Sequence, residues 1–337
     1  MTARAVIYGC EGPGLTDWER GFFAEADPLG FILFARNCAD PDQLRALVAE
    51  LRATVGRDEA PVLIDQEGGR VTRLKPPAWR VAPAAGVFDD LARRDLKRAC
   101  EAAEINARLL ALELMALGID VDCLPLLDLR LPEGHGIIGD RALGSDPDQV
   151  IALGRAVCKG LAAAGVTPVI KHIPGHGRAR VDSHEALPRV DAPLEVLRSS
   201  DFRPFKALAE APWGMTAHII YDAIDPARPA TTSPKVISEI IRGEIGFDGL
   251  LLSDDLSMKA LSGGLGARAR AALDAGCDVA LHCNGHRAEM EAVAAAVSPL
   301  TPAAEARLAR GRAGLGAAPL PTGFAALSQH LEDLLAG

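Results

Sequence analysis

The run Asp146-Pro147-Asp148-Gln149-Val150, continued at its far end by Ala164-Gly165-Val166-Thr167-Pro168-Val169-Ile170-Lys171-His172, holds one complete helix-and-strand unit. Asp146 stands where a carboxylate can cap a helix, and Pro147 suits the first helical position because its missing N–H would have no partner there. Gly165 follows the last helical residue, as a C-terminal glycine should. Thr167–His172 is then almost continuously apolar until it ends in Lys171-His172, the pattern of a parallel strand covered on both faces. Chain that reads this way predicts a helix laid against a buried parallel strand, with the ionisable residues at the strand's C-terminal end.

The same unit recurs in both directions. Further strands are expected at Ala5–Tyr8, Gly30–Ala35, Pro61–Asp65, Asp120–Leu127, Gly214–Ile219, Gly249–Ser253 and Asp278–His282. Amphipathic helices are expected at Asp40–Thr54, Arg94–Ala116, Asp146–Ala164, Ser233–Ile245 and Ala267–Ala275, with Asp40-Pro41 and Ser233-Pro234 repeating the cap and Gly118 the stop. About eight strand–helix repeats over this length predict an α/β fold, a single (β/α)8 TIM-type barrel. A doubly wound open sheet has the same periodicity and is the alternative. The expected organisation is one (β/α)8 domain over 1–337 with a helical tail from about 300 to 337 lying against the outside. Pro174–Ser200 shows no clear element, and a loop of that length in a compact domain is usually functional or disordered.

Composition narrows the class. The chain has 337 residues, 49% hydrophobic and 24% charged, which is enough apolar material for a large core and excludes disorder. Lys+Arg of 36 against Asp+Glu of 45 gives a net charge of -9, with no basic run, so no nucleic-acid partner is expected. No secretory signal and no membrane-length apolar stretch is seen. The 7 cysteines show no CxxC spacing, as for thiols in a reducing compartment. A soluble, cytoplasmic monomer acting on a small-molecule substrate is expected.

In a barrel, reacting groups belong at the C-terminal strand ends. Those positions carry Asp65-Gln66-Glu67-Gly68-Gly69-Arg70, Asp128, Lys171-His172-Ile173-Pro174-Gly175-His176-Gly177, Asp182-Ser183-His184, His218, Ser253-Asp254-Asp255 and His282-Cys283-Asn284. Charge at buried strand ends costs desolvation unless paired, so its concentration at one rim points to a site. Successive strand residues face opposite sides, so one of Asp254 and Asp255 faces the axis as nucleophile or base while the other supports it; otherwise both flank the next helix. Asp182 and His184, two apart, are spaced for a carboxylate to hold an imidazole as a proton shuttle. Lys171 and His172 are donors for a polyol, partners of neighbouring carboxylates, or both. Arg73 and Arg141 are candidate donors to an anion or a hydroxyl. Pro174-Gly175 denies His172 and His176 a helix, which argues against a metal; no metal and no cofactor is expected. Gly68-Gly69 lacks a nucleotide-loop context, and Cys283 lacks a nucleophile motif.

Together and in order these segments resemble the β-N-acetylhexosaminidases of glycoside hydrolase family 3. Lys171-His172-Ile173-Pro174-Gly175-His176-Gly177 with Asp182-Ser183-His184 is similar to that family's KH(F/I)PGHG…DSH signature. Asp65–Val71 through Arg73, Ile138-Gly139-Asp140-Arg141 and Ser253–Met258 are similar to further signatures, so the likeness spans roughly residues 5–300. The resemblance implies a (β/α)8 barrel of the single-domain type that recycles peptidoglycan. It implies a retaining exo-β-N-acetylglucosaminidase that releases N-acetylglucosamine from N-acetylglucosaminyl-1,6-anhydro-muramyl peptides. It assigns Asp254 as nucleophile, His184 as acid/base with Asp182 as its partner, and Asp65, Arg73, Arg141, Lys171 and His172 as holders of the terminal sugar. Ile173 stands for the commoner Phe, and Gly177-Arg178-Ala179-Arg180-Val181 is more basic than usual. A β-glucosidase-like exo-glycosidase of the same family, a silent sugar-binding barrel and a metal-dependent barrel hydrolase are the competing readings.

Overall fold

A computed structural model describes residues 2–132, 134–181, 183, 186–315 and 323–336. Along the chain these form β1 (Arg4–Tyr8), α1 (Asp17–Ala26), β2 (Pro28–Leu33), α2 (Pro41–Val55), β3 (Val62–Ile64), α3 (Ala85–Ala92), α4 (Leu96–Met115) and β4 (Val121–Asp122). There follow α5 (Pro147–Ala163), β5 (Thr167–Ile173), β6 (Arg189–Val190), α6 (Leu194–Ser199), α7 (Phe202–Ala207), β7 (Trp213–Thr216) and β8 (Ile220–Tyr221). The remainder is a helical segment at Val236–Glu244, then β9 (Leu250–Asp255), α8 (Leu265–Ala275), β10 (Val279–His282), α9 (Arg287–Ala294), α10 (Pro302–Ala313) and α11 (Phe324–Ala336).

Eight strands close into a barrel in the order β1-β10-β9-β7-β5-β4-β3-β2, and every pair in it is parallel. The expected TIM-type barrel is therefore the fold, and the open sheet is excluded by closure between β1 and β10. The strands are apolar throughout because both of their faces are buried. Ile7, Leu63, Val169, Leu250, Leu252 and Val279 fill the interior. Their neighbours Val6, Tyr8, Ile64, Ile170, Leu251 and Ala280 face the helices. This is a period of two with no polar face.

The caps read from sequence form as expected. Asp40 accepts from the N–H groups of Asp42 and Gln43, and Asp146 from that of Asp148. Gly118 and Gly165 adopt φ of 80° and 88° just beyond their helices.

Several expectations need correction. The strand at Asp120–Leu127 pairs regularly only over Val121–Asp122, because Pro125 has no N–H to give a ladder. Pairing resumes as a single bridge between Leu126 and Lys171. The expected helix at Ser233–Ile245 keeps its cap, with the Val236 N–H on Ser233 Oγ at 3.1 Å. Its turns are wider than an α-helix, however, with the Ile245 N–H reaching back to the Ile240 carbonyl. Four β-branched residues, Val236, Ile237, Ile240 and Ile241, form its buried face and crowd the preceding turns. Pro174–Ser200, expected to lack elements, contains β6, paired with β8, and α6.

The C-terminal helices divide. α11 lies outside on α4, with Arg98 Nε donating to the Leu334 carbonyl. α10 instead closes the N-terminal mouth of the barrel: Leu300 and Ala304 join the interior cluster, and Arg307 binds Asp278 and Asp248. Sealing that end leaves the C-terminal mouth for a site.

Candidate active site

At the C-terminal mouth, Ile32, Met215 and Leu281 floor a cavity of about 250 Å³. Its walls come from successive strand ends and the loops that follow: Phe34 after β2, Asp65 after β3, Lys171 and His172 on β5, and Asp254 and Asp255 closing β9. Arg73 and Arg141 enter from loops. The structure thus brings six of the residues singled out from sequence (Asp65, Arg73, Arg141, Lys171, His172 and Asp254) to one cavity. Asp182 and His184 lie outside the described residues.

One wall is an alternating row of charges. Arg73 Nη2 lies 3.0 Å from Asp65 Oδ2, and Asp65 Oδ1 lies 2.8 Å from Lys171 Nζ. Lys171 Nζ is also 2.8 Å from Glu67 Oε1, and Glu67 receives a two-pronged contact from Arg141 Nε and Nη2, both at 2.8 Å. Burial pushes the Asp65 carboxyl up, but the Lys171 and Arg73 cations outweigh it and hold it well below the usual carboxylate range. Glu67 is likewise pushed up by burial and brought below its ordinary value by Lys171 and Arg141. Burial draws the Lys171 ammonium down, and Asp65 and Glu67 more than reverse this. Asp65, Glu67 and Lys171 are therefore charged at neutral pH, between two guanidinium groups. Each carboxylate oxygen of Asp65 has a second lone pair, so the wall can accept from two hydroxyls while its cations donate.

Glu67 stands among the strand-end residues named from sequence but has no role assigned there. The signal was there: it stands two residues beyond Asp65 at the same strand end, hence on the same side in extended chain. Arg73 reaches the cavity because Gly68 and Gly69, at φ of 94° and 55°, turn the chain back tightly enough for the Glu67 N–H to meet the Val71 carbonyl at 3.0 Å. A Cβ on Gly68 would lie 2.2 Å from the Pro83 carbonyl oxygen, so this glycine pair serves a turn and a close approach.

Behind β5, Asp128 is fully buried and gathers three donors. His172 Nδ1 lies 2.7 Å from its Oδ2, the His172 N–H approaches both oxygens at 3.2 Å, and the His176 N–H reaches Oδ1 at 2.6 Å. Burial raises the Asp128 carboxyl, yet His172 and His176 bring it below its ordinary value. An ionised carboxylate only accepts, so His172 carries a proton on Nδ1 and turns its other nitrogen elsewhere. Sequence reading placed Asp128 at a strand end without assigning it this part.

The two aspartates of β9 have different surroundings. Asp255 accepts from the Ser257 N–H at 3.0 Å, Ser257 Oγ at 2.5 Å and the Cys283 N–H at 3.2 Å, so it fixes the turn after β9. Asp254 Oδ1 accepts from the Asp255 N–H at 2.8 Å, and its side chain borders the cavity. His218 supports this strand end from behind, with Nε2 3.0 Å from the Asp255 carbonyl oxygen and Nδ1 2.7 Å from Thr231 Oγ1. A carbonyl only accepts, so His218 donates through Nε2; burial lowers its pKa and favours this neutral form. Cys283 also borders the cavity, but burial, with Asp255 nearby, pushes its thiol well above the ordinary value and leaves it a poor nucleophile.

Comparison with known proteins gives the family. The model of the glycosyl hydrolase family 3 N-terminal domain matches residues 25–311. The β-hexosaminidase of Alkalilimnicola ehrlichii is 42% identical over 92% of this chain and 89% of its own, and that of Pseudomonas aeruginosa is 40% identical over 89% and 88%. The crystal structure of NagZ from Neisseria gonorrhoeae in complex with N-trifluoroacetyl-D-glucosamine superposes with a TM-score of 0.88 at 31% identity, covering 99% of both chains. A family 3 β-N-acetylglucosaminidase from Paenibacillus superposes with a TM-score of 0.84 at 33% identity, covering 98% of this chain and 67% of that one. The chain belongs to glycoside hydrolase family 3 and is a glycoside hydrolase of the β-N-acetylhexosaminidase type.

Proposed function

We propose that the protein is a retaining exo-β-N-acetylglucosaminidase that removes terminal N-acetylglucosamine from N-acetylglucosaminyl-1,6-anhydro-muramyl peptides during cell-wall recycling. The observation that carries this reading is the cavity itself: Asp254 at the end of β9 shares it with the Arg73–Asp65–Lys171 row. The row suits the hydroxyls of one terminal sugar, and Asp254 suits attack on its anomeric carbon. The gonococcal relative, which takes an N-acylated glucosamine, supports an amino sugar over plain glucose.

In the proposed reaction the Asp254 carboxylate bonds to the anomeric carbon as the glycosidic bond breaks. The leaving oxygen takes a proton from His184, which Asp182 polarises. Water then attacks the same carbon, His184 takes its proton, and Asp254 is released, so two inversions restore the β configuration. Asp65, Arg73, Arg141, Lys171 and His172 hold the sugar. No cofactor or metal takes part in this scheme. Among the described residues no helix is long and apolar enough to cross a membrane, and we place the protein in the cytoplasm as a monomer with the small muropeptide as its partner.

Asp254→Ala tests the assignment. Turnover of 4-nitrophenyl N-acetyl-β-glucosaminide should vanish while N-acetylglucosamine still binds. Retained turnover removes Asp254 from the mechanism, and equal rates on the glucoside and the N-acetylglucosaminide favour the broader exo-glycosidase.

A further inference from the structure

His176 has a set of contacts that sugar binding does not account for. It borders the cavity yet is 3% exposed. The short segment that carries it is fastened on three sides. The Gly175 carbonyl accepts from Tyr221 Oη at 2.7 Å, and the His176 N–H donates to the buried Asp128 at 2.6 Å. Gly177 packs so closely that a Cβ there would lie 2.2 Å from the Leu129 carbonyl oxygen. From this fixed base the imidazole, among the described residues, makes one side-chain hydrogen bond, Nε2 to Ser183 Oγ at 3.2 Å, while its Nδ1 is buried without a partner among them. Ser183 is itself buried, and it stands between Asp182 and His184 in the chain.

We infer that His176 is a positioning residue: through its bond to Ser183 it fixes, relative to the floor of the site, the stretch of chain that carries the acid/base pair. The inference rests on the proposed role of His184. Burial, helped by His172, brings the His176 pKa down to about 4, so the ring is neutral in the working range. With one proton to place, the less costly tautomer donates from Nε2 to Ser183 and leaves on Nδ1 a bare lone pair instead of a stranded N–H. A neutral ring also leaves the charge balance around Asp254 unchanged, so it holds the loop without competing for the proton in flight.

The test is a series of aryl N-acetyl-β-glucosaminides of graded leaving-group acidity, with kcat/KM measured for Ser183→Ala, His176→Phe, His176→Gln and His184→Ala. Good leaving groups need little acid help, so loss of position should fall on the poor ones. Ser183→Ala and His176→Phe should lose about 3- to 10-fold on the poorest leaving group and under about 2-fold on the best, as expected for one hydrogen bond. Inhibition by N-acetylglucosamine should stay unchanged, which shows that the sugar pocket is intact. His176→Gln, whose amide nitrogen reaches where Nε2 lay, should recover most of the loss. Losses equal across the series, or none, while His184→Ala steepens the dependence, overturn the inference alone. A flat series for His184→Ala overturns the assignment of His184 and the inference with it.

Discussion

Replacing Glu67 by Gln tests whether the charged wall is a connected structure or a set of separate contacts. The carboxylate receives two bonds from Arg141 and one from Lys171, all at 2.8 Å, and its side chain is 4% exposed. Gln keeps the shape and one acceptor oxygen, but the cluster changes from three cations and two anions to three cations and one anion. Removing a single partner from a buried ion cluster costs about 3–5 kcal/mol, because the remaining charges stay desolvated. Replacing the whole cluster by apolar groups would not carry that cost, so the effect belongs to the unpaired remainder. At an unfolding entropy of about 2.1 cal/mol/K per residue, this chain's total is about 0.7 kcal/mol/K, and Tm should fall about 4–7 °C at pH 7. The sign with pH follows from the lowered Glu67 value. Its contribution is complete above the ordinary glutamate pKa of about 4.3 and is lost as pH falls through the lower folded-state value. The gap between the wild type and Glu67→Gln should therefore be widest near neutrality and close toward acid. Scanning calorimetry at several pH values measures it. A Tm change under about 1 °C at pH 7, or a gap that widens in acid, refutes the reasoning.

Three further outcomes follow from the same geometry. Asp65→Asn removes the anion that Lys171 and Arg73 hold in place, and charged hydrogen bonds are each worth about 1.5–3 kcal/mol, so KM should rise about 10- to 150-fold; an unchanged KM would take Asp65 out of sugar binding. Gly177→Ala places a Cβ 2.2 Å from the Leu129 carbonyl oxygen, so the main chain must shift. Its kcat/KM should drop at least about 10-fold, since small misplacements near the chemistry are costly, and kinetics equal to wild type would show that the contact relaxes freely. Asp65, Glu67 and Asp128 all have pKa values held below the ordinary range, so each contributes stability above it and loses that stability as pH falls. Tm should fall steadily below about pH 4, and a Tm that is flat into acid contradicts the ionised cluster.

The barrel was legible because parallel strands buried on both faces leave continuous apolar runs, and because Asp40-Pro41 and Asp146-Pro147 mark helix starts by local chemistry alone. Strand ends were less so. Pro125 interrupts the ladder of β4 even though the run Asp120–Leu127 is nearly all apolar, since hydropathy does not register a missing N–H. α1 was overlooked although Thr16 and Glu19 form a reciprocal cap, because Asp17–Ala26 is only ten residues long and fully buries just Phe23 and Ala26 of its apolar residues, with Trp18 and Phe22 packed at the edge of the core. In the site, residue types at strand ends pointed to Asp65, Lys171, His172 and the pair Asp254-Asp255, and only the family resemblance chose between the last two. What sequence withheld was pairing: that Glu67 joins Lys171 to Arg141, and that Asp128 gathers the two histidines of β5 and its loop, depends on strands β3, β4 and β5 being neighbours in the sheet.

Three aspartates border one cavity, and their surroundings sort them by chemistry. Asp65 faces two cations, which lowers its basicity and makes it a poor nucleophile, but an oriented acceptor for hydroxyls. Asp255 is committed to Ser257 and to the Cys283 N–H, so moving it would dismantle the turn after β9. Asp254 accepts from the main chain of the residue that follows it, on a strand end that His218 supports from behind. A nucleophile must be anionic, held rigidly and turned toward the substrate, and in the proposed reaction that part falls to Asp254. On this view the cations beside Asp65 have a second effect besides binding sugar. In the proposed reaction they keep Asp65 from competing for the anomeric carbon, so one cavity can hold an acceptor and a nucleophile of the same residue type without exchanging their parts.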